Sequence, residues 1–317
     1  MLKLIAAAVA IMGGTAALAQ NWPTHPLLVV SPFAPSTTND LVAQMVLDPV
    51  VQQLGQSYTL ENRPGGNGTV GVASVVSAKP DGYTLLLSSS AMSAAVILHK
   101  SLPYDTLNDL SPVAMLGTLP SALMAAPTKG YRTVADLVAA AKARPGELKF
   151  ASTGVGSASY IAAERFCLAA GLDVQHVAYH EPSVAMADLA AGSVDFYFLP
   201  LVPALPLIRE GKATALAVSA STATLPAVQT LAEAGYPIDA ALFWGGLSAP
   251  AKTPRDIVDK LNATIGKVLD LPAMRNRFQR IGMEPKPMST EQFAKFFADD
   301  VAAMIKLGKD AHITPTY

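Results

Sequence analysis

Short apolar runs alternate with amphipathic stretches along nearly the whole chain, and that rhythm constrains the fold more than any other feature. Residues 27–31, 58–61, 84–87, 123–126, 149–152, 175–178, 196–198, 215–219 and 243–248 have the length and composition of strands. Between them, residues 40–54, 70–78, 134–143, 159–170, 184–190 and 201–209 have helical periodicity. The last part of the chain is helical, over 255–269, 272–281 and 291–306. Alternating strand and helix gives an α/β fold with largely parallel sheets. Lys79-Pro80-Asp81-Gly82 and Arg144-Pro145-Gly146 are turns between helix and strand. One α/β unit covers 27–87 and a second covers 149–219. They join near 117–123 and return near 240–248, which predicts two lobes with two crossover segments.

The N-terminus has another character. Lys3 precedes an apolar run from Leu4 to Met12, and Ala17-Leu18-Ala19 before Gln20 is a cleavage pattern, so residues 1–19 read as a secretory signal peptide. A membrane anchor needs roughly 20 apolar residues, and Gly13, Gly14 and Thr15 interrupt this run too early. No later segment spans a bilayer, and the single cysteine, Cys167, lies far from the cleavage site and can form no intrachain disulfide. The mature chain is therefore expected free in an exported compartment. Its lobes are expected at 20–120 with 245–317, and at 121–244.

Charge excludes some functions. Lys and Arg number 23 and Asp and Glu 24, giving a net charge of −1 with no basic block. Nucleic-acid binding has no electrostatic footprint. Gly66-Asn67-Gly68-Thr69-Val70-Gly71 matches G-x-G-x-x-G, yet the following strand ends in Ser88-Ser89-Ser90 rather than the acidic residue a dinucleotide fold requires. His176 and His180 are spaced for a metal on a helix but fall in a strand-like run, where they diverge; a structural or rim role is expected. There is no G-x-S-x-G elbow, and Asp299-Asp300 reads as a solvated helix face. No cofactor, metal or catalytic residue is expected.

In an open α/β sheet the crevice lies beyond the C-terminal strand ends. That singles out the loops at 32–39, 88–93, 153–159 and 199–203. They are rich in Ser, Thr, Gly and Pro and contain no Lys or Arg. At least two lead into helices, whose N-termini present unpaired N–H donors and a partial positive charge. Such loops can hold a carboxylate without a cationic side chain.

Many short motifs in order then resemble one family. They are Trp22-Pro23 with Pro26, Pro32-Phe33 with Pro35 and Asp40, Glu61-Asn62-Arg63-Pro64-Gly65, and Pro80-Asp81-Gly82-Tyr83. Ala151-Ser152-Thr153-Gly154-Val155-Gly156-Ser157, Gly192-Ser193-Val194-Asp195 and Lys260-Leu261-Asn262 follow. Over essentially the whole mature chain the sequence resembles the Bug family, the periplasmic solute-binding receptors of tripartite tricarboxylate transporters. The resemblance implies a two-lobed periplasmic-binding-protein fold, a Venus flytrap that closes on a small carboxylate. It implies that the loops at 32–39 and 152–157 hold one carboxylate through backbone groups, hydroxyls and bound water. It also implies an inner-membrane permease with one large and one small subunit as partner; a monomer is expected. The expected ligand-binding residues are Phe33, Ser36, Thr37, Thr38, Ser89, Ser90, Ser152, Thr153, Gly154, Val155, Gly156, Ser157, Tyr160, Tyr179, Leu199 and Pro200.

The departures bear on the ligand. Ser36-Thr37 stands where the family usually has Gly-Gly, and Tyr160 where it often has His. Tyr179-His180-Glu181 replaces a Tyr-Lys-Gly-like triplet, and Leu199 stands where members commonly carry Asp. A buried ammonium without a partner anion costs several kcal/mol, so amino acids are disfavoured. Phe33, Met92, Tyr160, Leu199 and Pro200 are expected to form an apolar wall suited to an aromatic or aliphatic acid. The alternatives are a sensory or orphan receptor without a transport role and, further off, a secreted hydrolytic enzyme.

Overall fold

The computed structural model describes residues 22–35, 37–155, 157–238 and 243–315. The chain runs β1 (Leu27–Ser31), α1 (Thr38–Leu54), β2 (Tyr58–Asn62), α2 (Thr69–Val76), β3 (Thr84–Ser89), α3 (Ser90–Leu98) and β4 (Leu110–Leu119). It continues with β5 (Ser121–Ala125), α4 (Val134–Ala143), β6 (Lys149–Ser152), α5 (Ala158–Ala170), β7 (Gln175–Ala178), α6 (Pro182–Ala191), β8 (Phe196–Pro200), α7 (Leu201–Arg209) and β9 (Thr214–Val218). It ends with β10 (Phe243–Pro250), α8 (Arg255–Leu269), α9 (Pro272–Arg280), β11 (Glu284–Pro285) and α10 (Thr290–Asp310). The expected signal peptide lies outside the described residues.

Two sheets carry two lobes. The first has strand order β11-β4-β10-β3-β1-β2 and the second β7-β6-β8-β5-β9. Both share one plan. In the first, β1 pairs in parallel with β2 on one side and β3 on the other. In the second, β6 pairs in parallel with β7 and β8. Strand order therefore reverses between β1 and β3, and again between β6 and β8. Those are the switch points where a crevice opens beyond the strand ends. The sheets are not largely parallel. β10 runs antiparallel to β3 and β4, and β5 antiparallel to β8 and β9. The reason is the crossovers: β5 follows β4 after Pro120 alone, so each crossing strand inserts reversed into the middle of the other sheet.

Strand β4 has no counterpart in the sequence reading. Pro112 argues against a sheet interior, but the β4–β10 register slips between Gly245 and Gly246 and between Leu247 and Ser248, and these irregularities accommodate it. In place of the loop expected at 88–93, β3 runs through Ser89 and α3 starts at Ser90.

The cores follow the periodicity. α8 buries Ile257, Val258, Leu261, Ile265 and Val268 at helical spacing against the first sheet. α10 serves both lobes. Its Phe293 and Phe297 meet Trp244 edge-on at 5.7 and 5.6 Å, while Met304 and Leu307 join the core of Phe150, Phe166 and Phe196. Asp300 of α10 is not solvated, because it accepts the Trp244 indole N–H at 2.8 Å and lies 3.9 Å from Arg165 of α5. Its neighbour Asp299 does face solvent, paired with Lys295. Asp195 is a buried staple in the second lobe, accepting Lys149 N–H at 2.8 Å and the Tyr131 hydroxyl at 3.2 Å. Among the described residues no helix is long and apolar enough to cross a membrane, and no His, Cys, Asp and Glu group has the makings of a metal site.

Candidate functional site

The loop after β1 hangs on one carboxylate. Asp40 is 3% exposed. It accepts the Ser31 hydroxyl at 2.6 Å, an Asn62 amide N–H at 3.0 Å and the Thr37 backbone N–H at 3.3 Å. The same Asn62 amide donates to Phe33 O at 3.1 Å, which ties β2 to the loop. Thr37 caps α1 by accepting Asp40 N–H at 3.3 Å, completing a reciprocal cap. That cap leaves Thr38 and Asn39 N–H as the first-turn donors it does not use. Glu61-Asn62-Arg63 is structural: Asn62 ties the loop, and Glu61 pairs with Arg63 at 2.8 Å. The G-x-G-x-x-G match also serves the loop. A methyl group at Gly71 would sit 2.7 Å from Pro32 Cα and 2.9 Å from Arg63 O, so only glycine lets α2 pack against it.

The loop after β6 is built on hydroxyls. Ser152, fully buried, accepts Gly154 N–H at 2.9 Å and lies 2.6 Å from His176 Nε2. Thr153 N–H donates to Ser159 Oγ at 3.2 Å. The Ser157 hydroxyl donates to Gly154 O at 2.7 Å and caps α5 by accepting Tyr160 N–H at 3.3 Å. Gly154 has φ +113°, a conformation that favours glycine. Val155 projects from the loop and is half exposed.

At the other two strand ends, Ser89 caps α3 by accepting Ala91 N–H at 3.3 Å, and Ser88 accepts the Ser248 hydroxyl at 3.1 Å. Ser90 is half-buried in the first turn of α3. Pro200 precedes α7, and Leu201 N–H is stitched to Pro120 O at 2.9 Å. Val202, in the first turn of α7, packs against Gly282 of the first lobe so closely that a side chain there would collide with it.

The structure thus brings Phe33, Thr37 and Thr38 to one switch point with Ser89 and Ser90, and Ser152 to Val155 and Ser157 to the other with Pro200. Ser36 and Gly156 lie outside the described residues. Several hydroxyls prove to be helix caps: Thr37, Ser89 and Ser157 organise N–H groups at the starts of α1, α3 and α5.

Three residues of the expected apolar wall are buried in the lobe cores. Leu199 is 4% exposed and shares a face of β8 with Tyr197, packed in the core beneath α6 and α7. Met92 is buried with Trp244 and Phe293. Tyr160 is buried against Phe150 and His176, and burial pushes its phenol up to about 12, with Glu164 beside it adding to the shift. The Tyr179 hydroxyl donates to Asp188 at 2.7 Å, and burial pushes that phenol up to about 12 too. Phe33 stays half-buried at the loop, and His180 and Glu181 are exposed after β7. The Asp40 hub and the His176–Ser152 contact went unread in the sequence. The hub's signal was the Ser31, Asp40 and Asn62 triplet, whose members meet only in three dimensions.

Comparison with known proteins bears on these loops. Residues 42–311 match the family described as the tripartite tricarboxylate transporter family receptor. Protein BugT of Bordetella pertussis is 35% identical over 289 residues, covering 89% of this chain and 88% of BugT. A R. palustris protein solved with adipate superposes with a TM-score of 0.73 at 30% identity, covering 93% of this chain and 99% of its own. MatC from Rhodopseudomonas palustris, solved with bound malate, gives 0.70 at 31% identity, covering 90% and 99%.

Proposed function

The chain belongs to the tripartite tricarboxylate transporter receptor family, the Bug receptors, and from that premise we propose that it captures a small aromatic or aliphatic carboxylate and delivers it to a membrane permease. It is a periplasmic solute-binding receptor by family, not an enzyme. One observation carries the ligand class: two switch-point loops, one per lobe, each deliver a capped helix N-terminus and neither contains Lys or Arg. Helix N-termini supply donors and partial positive charge to an anion. A ligand gripped by both lobes favours the closed state by its differential contacts.

Two further points support the choice of acid. Asp40 is already engaged by three donors and is not offered to an ammonium group, and Leu199 is buried, so an amino acid finds no anion at these loops. Phe33 and Val155 present apolar surface at the loops. The relatives solved with adipate and malate hold aliphatic dicarboxylates. In this reading residues 1–19 are a removed leader, and the lobes run 20–120 with 245–317 and 121–244. The mature receptor works as a monomer with a permease of one large and one small subunit.

A thermal-shift screen of residues 20–317 tests the ligand class, using adipate, malate, benzoate, citrate and the common amino acids. Ligand at 100 times its dissociation constant adds about 2.7 kcal/mol. Stabilisation by adipate, malate or benzoate is expected; stabilisation by amino acids alone would refute the assignment.

A further inference from the structure

Beneath the second-lobe loop lies a histidine that the ligand reading does not use. His176 sits on β7, in register with Phe150 on β6. Its ring stacks on Phe150 with centroids 4.9 Å apart and meets Tyr160 edge-on at 4.8 Å. Its Nε2 lies 2.6 Å from Ser152 Oγ, and Ser152 Oγ accepts Gly154 N–H at 2.9 Å. Gly154 O in turn accepts Ser157 N–H and the Ser157 hydroxyl, and Ser157 caps α5. A chain of single hydrogen bonds therefore runs from a half-buried imidazole to the helix N-terminus.

We propose that His176 is the positioning residue of the second-lobe loop and that its protonation tightens carboxylate binding. The inference rests on the carboxylate reading above. Neutral imidazole accepts the Ser152 hydroxyl proton at Nε2 and holds the loop through Gly154. The imidazolium donates from Nε2 to Ser152 Oγ instead. It keeps the bond and adds a positive charge under a loop that has no Lys or Arg.

Few other charges face this ring. β6 brings only Phe150 and Ser152 to it, and by strand alternation Lys149 and Gln175 lie on the opposite face. α5 brings Tyr160 and, behind it, Glu164, whose carboxyl is raised by burial while its bond to Tyr160 opposes the rise. His180 and Glu181 follow β7 in an exposed turn. Burial holds the free His176 below the ordinary imidazole value. A bound carboxylate favours the charged form and raises it, so binding takes up a proton. Affinity is then weaker above the liganded value, rises as pH falls through it, and levels off below the free value.

A pKa rise of about one unit on binding corresponds to roughly tenfold tighter binding. The test is calorimetric titration of the mature chain with adipate and with malate at about pH 8 and about pH 5.5, on either side of the imidazole range. NMR titration of the His176 Cε1 proton, free and saturated, accompanies it. Wild type is expected to bind roughly tenfold tighter at the lower pH, with a higher His176 pKa when saturated. His176→Gln, which keeps a donor to Ser152 but cannot titrate, is expected to bind with no such step. His176→Phe, which loses the bond, is expected to bind weakly at both pH values. Wild-type binding that ignores pH, or a step that survives in His176→Gln, overturns the proposal while leaving the carboxylate site standing. Failure of wild type to bind either acid at either pH overturns the carboxylate reading, and this inference with it.

Discussion

Replacing Asp40 with Ala tests whether the first-lobe loop depends on a single side chain. The substitution removes the acceptor of the Ser31 hydroxyl, the Asn62 amide and the Thr37 N–H, the first at 2.6 Å in a fully buried setting. Hydrogen bonds to a charged acceptor contribute about 1.5–3 kcal/mol each, and a buried donor left unmade costs about 1–3 kcal/mol. Asn62 keeps Phe33 O as a partner, and the Thr37 bond is long at 3.3 Å, so the three do not add in full. The helix also loses an acidic group in its first turn, about 0.3–1 kcal/mol. The expected loss is about 3–5 kcal/mol, in the range for breaking a buried charged network. At about 2 °C per kcal/mol for a chain this size, that lowers Tm by roughly 6–10 °C. Asp40→Asn keeps an acceptor for Ser31 but turns an amide donor toward Asn62, so about 2 kcal/mol is expected. Urea unfolding reads the stability, and calorimetry with adipate reads the loop, where a loss of more than about tenfold follows if α1's first turn is released. A change below about 1 kcal/mol with adipate affinity intact would refute the reasoning.

Other substitutions probe the frame around the site. Gly71→Ala forces a methyl group against Pro32 and the Arg63 carbonyl, both backbone. A loss of about 1–3 kcal/mol by urea unfolding, with weakened adipate binding, is expected. Asp300→Ala orphans the buried Trp244 N–H at the junction of the lobes, which should cost about 1–3 kcal/mol and shift Trp244 fluorescence; Asp300→Asn should recover most of both.

How much of this was legible in the sequence depended on whether a local pattern carried it. β1, α1 and the loop between them were legible because an apolar run, a polar Ser-Thr-Pro stretch and a helical stripe follow one another. α3 was not, because Ser88-Ser89-Ser90 looks like a loop until Ser248 arrives from a strand 160 positions away. β4 was hidden by Pro112, whose place depends on its register with β10. The loops after β1 and β6 were legible from topology, but those expected at 88–93 and 199–203 are not loops, because β3 passes directly into α3 and β8 directly into α7. The roles of the hydroxyls at these strand ends were not legible, since a Ser that caps a helix and a Ser that grips a ligand have the same neighbours in sequence. The face taken by Leu199 was not legible for a related reason: in Phe196-Tyr197-Phe198-Leu199 every residue can be buried, so nothing marks which face is which. Asp300 differs from Asp299 only by a rotation about the helix, and that rotation turns it onto Trp244.

The most direct test of the central claim is the crystal structure of the protein with adipate. One adipate carboxylate is predicted within hydrogen-bond distance of backbone N–H groups at both helix starts, Thr38 and Asn39 of α1 and Ala158 and Ser159 of α5. A cavity of about 540 Å³ also lies between α5 and α10, lined by Arg165, Leu168, Ile238, Lys306 and Leu307. Adipate seated there, with the strand-end loops empty, would contradict the account.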